Sequence, residues 1–409
     1  MMFMLFFMCG FLAALNDILI PHLKPIFDLN YAEVMLIQFS FFSAFLLFAV
    51  PSGKLIDMLG YQRTMSIGLL AMGSGALLFI PAANLPSFPV FMCALVVLAG
   101  GITSVQVSGN PYVAMLGPAS TGSSRLLLIQ ASNSVGATIA PYFGGVLILN
   151  EQAKSVEQLR QLPANALHAY RLHEAAYVKG PYIGIALALI GLAIAIAIYP
   201  MPALHLKTRS ADAKDNVGRS IWRHRHLVLG AIGIFLAVGG EVAVGSFLVN
   251  YFTQPDIGGL TAKAAATYVS IYWAGAMVGR FLGSAVMRRT SPATVIGVAA
   301  LIVVGLLATS IASSGHLAMW SMMLVGLFNS IMFPGIFTLG IAKLGPLTSK
   351  GSGILMSAAV GGAIIPVLQG AVADRTGLHR AFIVSVLCYL YVAFYGFKGS
   401  KPVSPGLNC

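Results

Sequence analysis

Gly53-Lys54-Leu55-Ile56-Asp57-Met58-Leu59-Gly60-Tyr61-Gln62-Arg63 is a charged stretch set between two apolar runs, 34–54 and 64–83. It gathers two cations, an aspartate and two glycines into eleven residues, and the flanks are almost free of charge. Runs of roughly 20 apolar residues match the hydrocarbon thickness of a bilayer. The stretch therefore reads as a turn between two membrane-spanning helices. A counterpart stands in the second half: Gly279-Arg280-Phe281-Leu282-Gly283-Ser284-Ala285-Val286-Met287-Arg288-Arg289.

Working outward, the same pattern recurs. Met115-Leu116-Gly117-Pro118 is echoed by Lys343-Leu344-Gly345-Pro346, and Gly136–Pro141 by Gly361–Pro366. Twelve apolar runs, each bounded by Gly, Pro or charge, fall near 3–26, 34–54, 64–83, 88–115, 124–149, 181–199, 227–252, 263–287, 292–312, 316–342, 350–371 and 380–397. Composition agrees: of 409 residues, 58% are hydrophobic and 9% charged, where a soluble domain has about 25% charged. The chain is an all-α integral membrane protein with two pseudo-symmetric six-helix bundles. Its parts are a first bundle at 1–200, a basic linker at 201–226, a second bundle at 227–398 and a tail at 399–409. Repeats of this kind belong to transporters, whose substrate site lies at the repeat interface near the midplane.

The net charge of +12 does not point to nucleic acid, because the cations sit in short loops and no nucleic-acid motif is present. Sixteen of the 24 Lys and Arg fall on one side when the N-terminus is placed inside, which puts both termini in the cytoplasm. The opening run has no basic leader and continues past Asp17, so it reads as the first span. Cys9, Cys93, Cys388 and Cys409 form no CxxC pair, and the histidines show no metal spacing. No nucleophile–base pair or phosphate loop suggests an enzyme. The expected partners are a small-molecule substrate and the lipid bilayer, with no nucleic acid and a monomeric working unit.

The stretch at Gly53, Leu55, Asp57, Gly60 and Arg63 resembles the loop motif of the major facilitator superfamily, with Gln62 in place of a basic residue. A narrower resemblance covers nearly the whole chain. Asn16-Asp17 with Pro21, Gln38, Gln106 with Asn110-Pro111, Ser124-Arg125, Gln130 with Asn133, and Glu241 through Asn250 are similar to the fucose/glucose–galactose permease family. The resemblance implies uptake of a monosaccharide across a bacterial inner membrane with a co-transported cation, H⁺ ahead of Na⁺, and no other cofactor. Fucose permeases carry an acid where this chain has Gln106. The expected order of sugars is therefore glucose or galactose, then L-fucose, then mannose or N-acetylglucosamine. A drug/proton antiporter is the alternative suggested by Gly136–Gly145, though Ala140 stands where that motif has glycine; a sugar sensor without transport is another.

Asp17 and Glu241 are the two acids placed well inside apolar runs, where a charge costs about 2.5–3.5 kcal/mol on insertion scales. They are the candidate cation-coupling groups. Sugar hydroxyls call for amides and carboxylates, so Asn16, Gln38, Gln106, Asn110, Gln130, Asn133, Glu241, Asn250 and Asn329 are the candidate substrate ligands. Tyr272, Trp273 and Phe333 are the candidates to stack on the ring. Gating falls to Gly53, Asp57, Gly60, Arg63, Arg125, Gly279 and Arg280. Gly275-x-x-x-Gly279-x-x-x-Gly283 is expected to be a packing face.

Overall fold

Apolar runs long enough to cross a bilayer must satisfy every backbone group internally, and helices do this. The computed structural model describes residues 1–27, 31–84, 87–147, 163, 166, 179–202 and 221–402. Within these, the side chains of 16–27, 31–36, 38, 83–84, 141, 144–147 and 262–263 lie outside the description. The first six helices are α1 (Met2–Phe27), α2 (Tyr31–Leu59), α3 (Tyr61–Asn84), α4 (Phe88–Met115), α5 (Gly122–Leu147) and α6 (Lys179–Ile198). The next three are α7 (Arg225–Phe252), α8 (Ala262–Val286) and α9 (Pro292–Ala312). The tenth span has two pieces, α10a (Gly315–Asn329) and α10b (Met332–Gly340). So does the eleventh, α11a (Thr348–Ser357) and α11b (Gly361–Thr376), before α12 (Ile383–Phe394). Among the described residues, nine of the spans are long and apolar enough to cross a membrane.

The eleventh run, expected as one helix at 350–371, is interrupted by a 3-10 turn at Ala358–Val360, and two further boundaries depart from the sequence reading for physical reasons. The charged stretch after Gly53 is not an open loop, because α2 runs on through Asp57 to Leu59 and α3 starts at Tyr61. Charges beyond the apolar thickness need not break a helix. Gly60 does, at φ 81°, the left-handed turn that glycine makes without a Cβ penalty. The tenth run was expected as one helix and is interrupted at Ser330–Ile331. Pro334 has no N–H for the Ser330 carbonyl four residues earlier, so the ladder opens there.

The contacts group the chain into two units: residues 1–108 with 135–201, and residues 109–134 with 202–409. In the first, α3 lies along α6, tied by a hydrogen bond from Ser66 Oγ to the Ala193 carbonyl at 3.1 Å. In the second, α7 packs on α11b, and α8 packs on α10a. The expected small-residue face is what α8 presents. A Cβ added at Gly279 would fall inside the Leu327 carbonyl, and one at Gly275 would meet nothing nearer than the Leu327 nitrogen at 4.0 Å. Backbone contact of this kind is how membrane helices gain dispersion energy without a hydrophobic driving force.

Candidate functional site

Glu241 stands at the middle of α7, directly after Gly239-Gly240. The second of these glycines leaves room for a ring: a Cβ there would lie 3.2–3.4 Å from Tyr389 of α12. Tyr389 is fully buried, as is Tyr272 of α8. Asn329, the last residue of α10a, joins them, its Nδ2 donating to Tyr272 Oη at 3.0 Å and to Tyr389 Oη at 3.2 Å. A phenol that accepts from an amide keeps its own proton to donate. Both phenols interact electrostatically with Glu241. Asn329 Oδ1 is buried with no partner among the described residues, and an open buried acceptor costs about 1–3 kcal/mol. Phenolic donors, an open amide oxygen and a carboxylate make a layer suited to recognising hydroxyl groups.

Glu241 itself is half-buried, and among the described residues it makes no hydrogen bond or ion pair. Its electrostatic partner of opposite sign is Arg280 of α8. That guanidinium is engaged elsewhere. Arg280 Nη1 donates to the Gln130 carbonyl at 3.0 Å and to Ser134 Oγ at 2.6 Å, both on α5. Its Nε donates to the Ser330 carbonyl at 3.4 Å, the oxygen that Pro334 leaves without a helical partner. The close approach at Gly279, one residue earlier, brings Arg280 to that carbonyl.

Gln130 is held twice. Its backbone meets Arg280, and its Nε2 donates to Asn110 Oδ1 at 3.0 Å; Asn110 Nδ2 in turn lies 3.5 Å from Met356 Sδ. Both amides are buried. Nearer the start of α5, Ser124 and Ser284 exchange hydrogen bonds to each other's carbonyls at 2.6 and 2.8 Å. Ser123 Oγ and Thr338 Oγ1 are 2.5 Å apart. Arg125 caps the end of α4: it donates to the carbonyls of Ala114 at 2.6 Å, Pro118 at 3.1 Å and Val113 at 3.3 Å, and to Thr121 Oγ1. The orphan carbonyls of a helix end need such donors.

The other sequence candidates are placed as follows. Asn133, Gln106 and Phe333 are half-buried, and Asn250 and Trp273 are exposed. Trp273 sets its ring at 84° to Tyr272 with centroids 5.2 Å apart. Gly53 is buried, while Asp57, Gly60 and Arg63 are exposed. Asn16 and Asp17 lie on α1 and Gln38 on α2, and their side chains are outside the described residues. Gln62, the departure from the loop motif, donates to the carbonyls of Ile196 and Tyr199 at 2.8 Å each and of Ala197 at 3.3 Å. An amide thus caps α6 from the position where the motif has a cation. Sequence reasoning missed Tyr389, Ser134 and Ser330. A tyrosine in the last apolar run and serines in apolar helices carry no signal of their partners.

The chain is similar to proteins of known family. The Major Facilitator Superfamily profile matches residues 2–358. The chain is 49% identical to the "Glucose/galactose transporter" of Brucella abortus over 97% of this chain and 93% of the relative. It is 33% identical to the "L-fucose-proton symporter" of Escherichia coli over 96% and 90% of the two chains. The crystal structure of the E. coli fucose:proton symporter superposes with a TM-score of 0.86 at 31% identity, covering 97% of this chain and 96% of that one. The multi-pass fold, the family profile and the two well-covered relatives agree: this chain belongs to the Major Facilitator Superfamily, in its fucose/glucose–galactose permease branch, and is a membrane transporter rather than an enzyme.

Proposed function

We propose that the protein takes up a hexose by cation symport, with glucose or galactose ranked ahead of L-fucose and H⁺ ahead of Na⁺. The single observation that carries the reading is the Glu241–Tyr272–Tyr389–Asn329 layer. It offers hydroxyl-recognising groups that interact with a half-buried carboxylate, which makes no hydrogen bond among the described residues. An ionisable group at that depth marks an ion or substrate pathway. The names of the relatives, a glucose/galactose transporter and a fucose–proton symporter, support the substrate class and the coupling.

In this reading Asp17 on α1 and Glu241 on α7 neutralise the co-transported cation, and the buried amides and phenols bind sugar hydroxyls. The cycle alternates access between the two faces of a bacterial inner membrane. The protein works as a monomer with both termini in the cytoplasm, the side favoured by the basic loops. The test is uptake of a labelled panel of glucose, galactose, L-fucose, mannose and N-acetylglucosamine into proteoliposomes, with imposed pH and Na⁺ gradients. Accumulation of a hexose under one gradient is the expected result. Equal equilibration with and without both gradients would refute coupling. Asp17→Asn should retain counterflow exchange and lose accumulation, because exchange needs no deprotonation step.

A further inference from the structure

Two observations stand together in the second unit. Glu241 and Arg280 are of opposite charge and interact, yet they form no ion pair among the described residues. Arg280 spends its hydrogen bonds on the 109–134 segment instead, at Gln130 O and Ser134 Oγ, and on the open Ser330 carbonyl. Arg280's bonds to neutral oxygens are charge-assisted on the donor side only, whereas an Arg–carboxylate pair adds the opposite charge and a bidentate geometry, so Glu241 is a competing partner for the same guanidinium. Arg280 Nη1 is taken up by two oxygens of α5.

We propose that Arg280 is a two-position latch. With the 109–134 segment packed in place, Arg280 holds α5, and Glu241 relies on a bound cation for neutralisation. When that segment withdraws, Arg280 loses the Gln130 and Ser134 oxygens and turns to Glu241. The guanidinium then replaces the cation, which leaves toward the side that has just opened. That side is the one carrying the basic loops. The latch thereby ties release of the coupling ion to opening of the cytoplasmic face, the order that uptake requires. The titratable groups that interact electrostatically with Glu241 are Arg280 and Tyr272 of α8 and Tyr389 of α12. Of these, Arg280 is the group that can carry positive charge. The identity of the released ion rests on the symport reading above; the exchange of partners rests on Arg280's hydrogen bonds and on its electrostatic interaction with Glu241.

The test uses a disulfide reporter one turn from the latch. Ser124 Oγ and Ser284 Oγ are 3.1 Å apart, so Ser124→Cys with Ser284→Cys should cross-link under mild oxidation while the 109–134 segment is packed. The background is the full chain with Cys9, Cys93, Cys388 and Cys409 replaced by alanine, in sugar-free proteoliposomes. Arg280→Gln should slow the initial cross-linking rate at least five-fold. Glu241→Gln, which removes the competing partner, should raise it at least two-fold, and the double variant should behave as Arg280→Gln alone. Should Arg280→Gln fail to fold, Arg280→Lys should still slow the rate at least two-fold, since an ammonium cannot span both α5 oxygens and Ser330. An unchanged or lower rate in Glu241→Gln would overturn the two-position latch, and so would an unchanged rate in the arginine variants. A chain that cross-links as expected but accumulates no sugar under either gradient would leave the latch standing and refute the symport reading.

Discussion

Replacing Gly279 by alanine tests whether the α8–α10a contact is the foundation on which Arg280 is placed. A Cβ there would lie 2.6 Å from Ser330 Oγ and 2.9 Å from the Leu327 carbonyl carbon, with the Leu327 oxygen closer still. Ordinary contact begins at 3.4 Å, so α8 must retreat by about 1.4 Å to clear the Leu327 oxygen. The obstacle is backbone and cannot swing aside. Overpacking of this kind costs about 1–3 kcal/mol, and a rigid obstacle takes it to the upper end. Alanine returns about 1 kcal/mol through helix propensity, leaving a net loss near 2 kcal/mol. For a unit of some 150–250 residues that corresponds to a fall of roughly 4–8 °C in Tm. Gly275→Ala is the control on the same face. Its nearest neighbour is 4.0 Å away, so only the propensity gain applies, and Tm should hold or rise by about 2–4 °C. Cys9 and Cys388 are buried while Cys93 is exposed, so with Cys93 and Cys409 replaced by alanine a thiol-reactive dye reports unfolding of the detergent-purified protein. If the two alanines shift Tm in the same direction and by the same amount, the close contact at Gly279 is not what holds α8.

Three further outcomes follow from particular contacts. Gly60→Ala forces a left-handed residue at φ 81° and should cost about 1–2 kcal/mol, read as a lower Tm, with Gly60→Asn milder because asparagine tolerates that region. Gln62→Ala removes three hydrogen bonds from the end of α6 and should cost about 1–2 kcal/mol; faster amide exchange in the last turn of α6 than in its middle would locate the damage. Asn329→Leu leaves two buried phenols without their shared donor. It should weaken hexose binding at least ten-fold by calorimetry while a Tyr389→Phe variant, which keeps the ring against Gly240, loses less.

The spans were legible because apolar length is a strong signal and the bilayer sets it. The run read at 292–312 coincides with α9, and the run at 88–115 with α4. What the sequence could not show is where a helix continues through charge or breaks inside an apolar run. Lys54 and Asp57 look like a loop by composition, yet nothing in either residue opposes a helix, and α2 carries both. Asn329-Ser330-Ile331-Met332 reads as uninterrupted span, and its break follows from one absent N–H at Pro334.

The site shows the same division between what a residue is and what it meets. Glu241 was visible as a misplaced acid, and Asn329, Asn110 and Gln130 as amides in apolar helices. Their partners were not visible, because partners come from packing. Asn110 and Gln130 are twenty residues apart and bond to each other; Tyr272, Asn329 and Tyr389 come from three different spans. Arg280 is the clearest case. Its position in the repeat suggested a counterpart of the charged stretch after Gly53, a cation at a helix end. Instead the glycine before it lets α8 touch α10a, and Pro334 exposes a carbonyl at the level of the guanidinium. The fork then spans Ser330 and α5. Each of the three causes is a local rule readable on its own: a small residue, a missing N–H, a planar donor. Their convergence on one guanidinium is a property of the packed helices, and it commits to neutral oxygens a cation that interacts with Glu241 and forms no ion pair with it among the described residues.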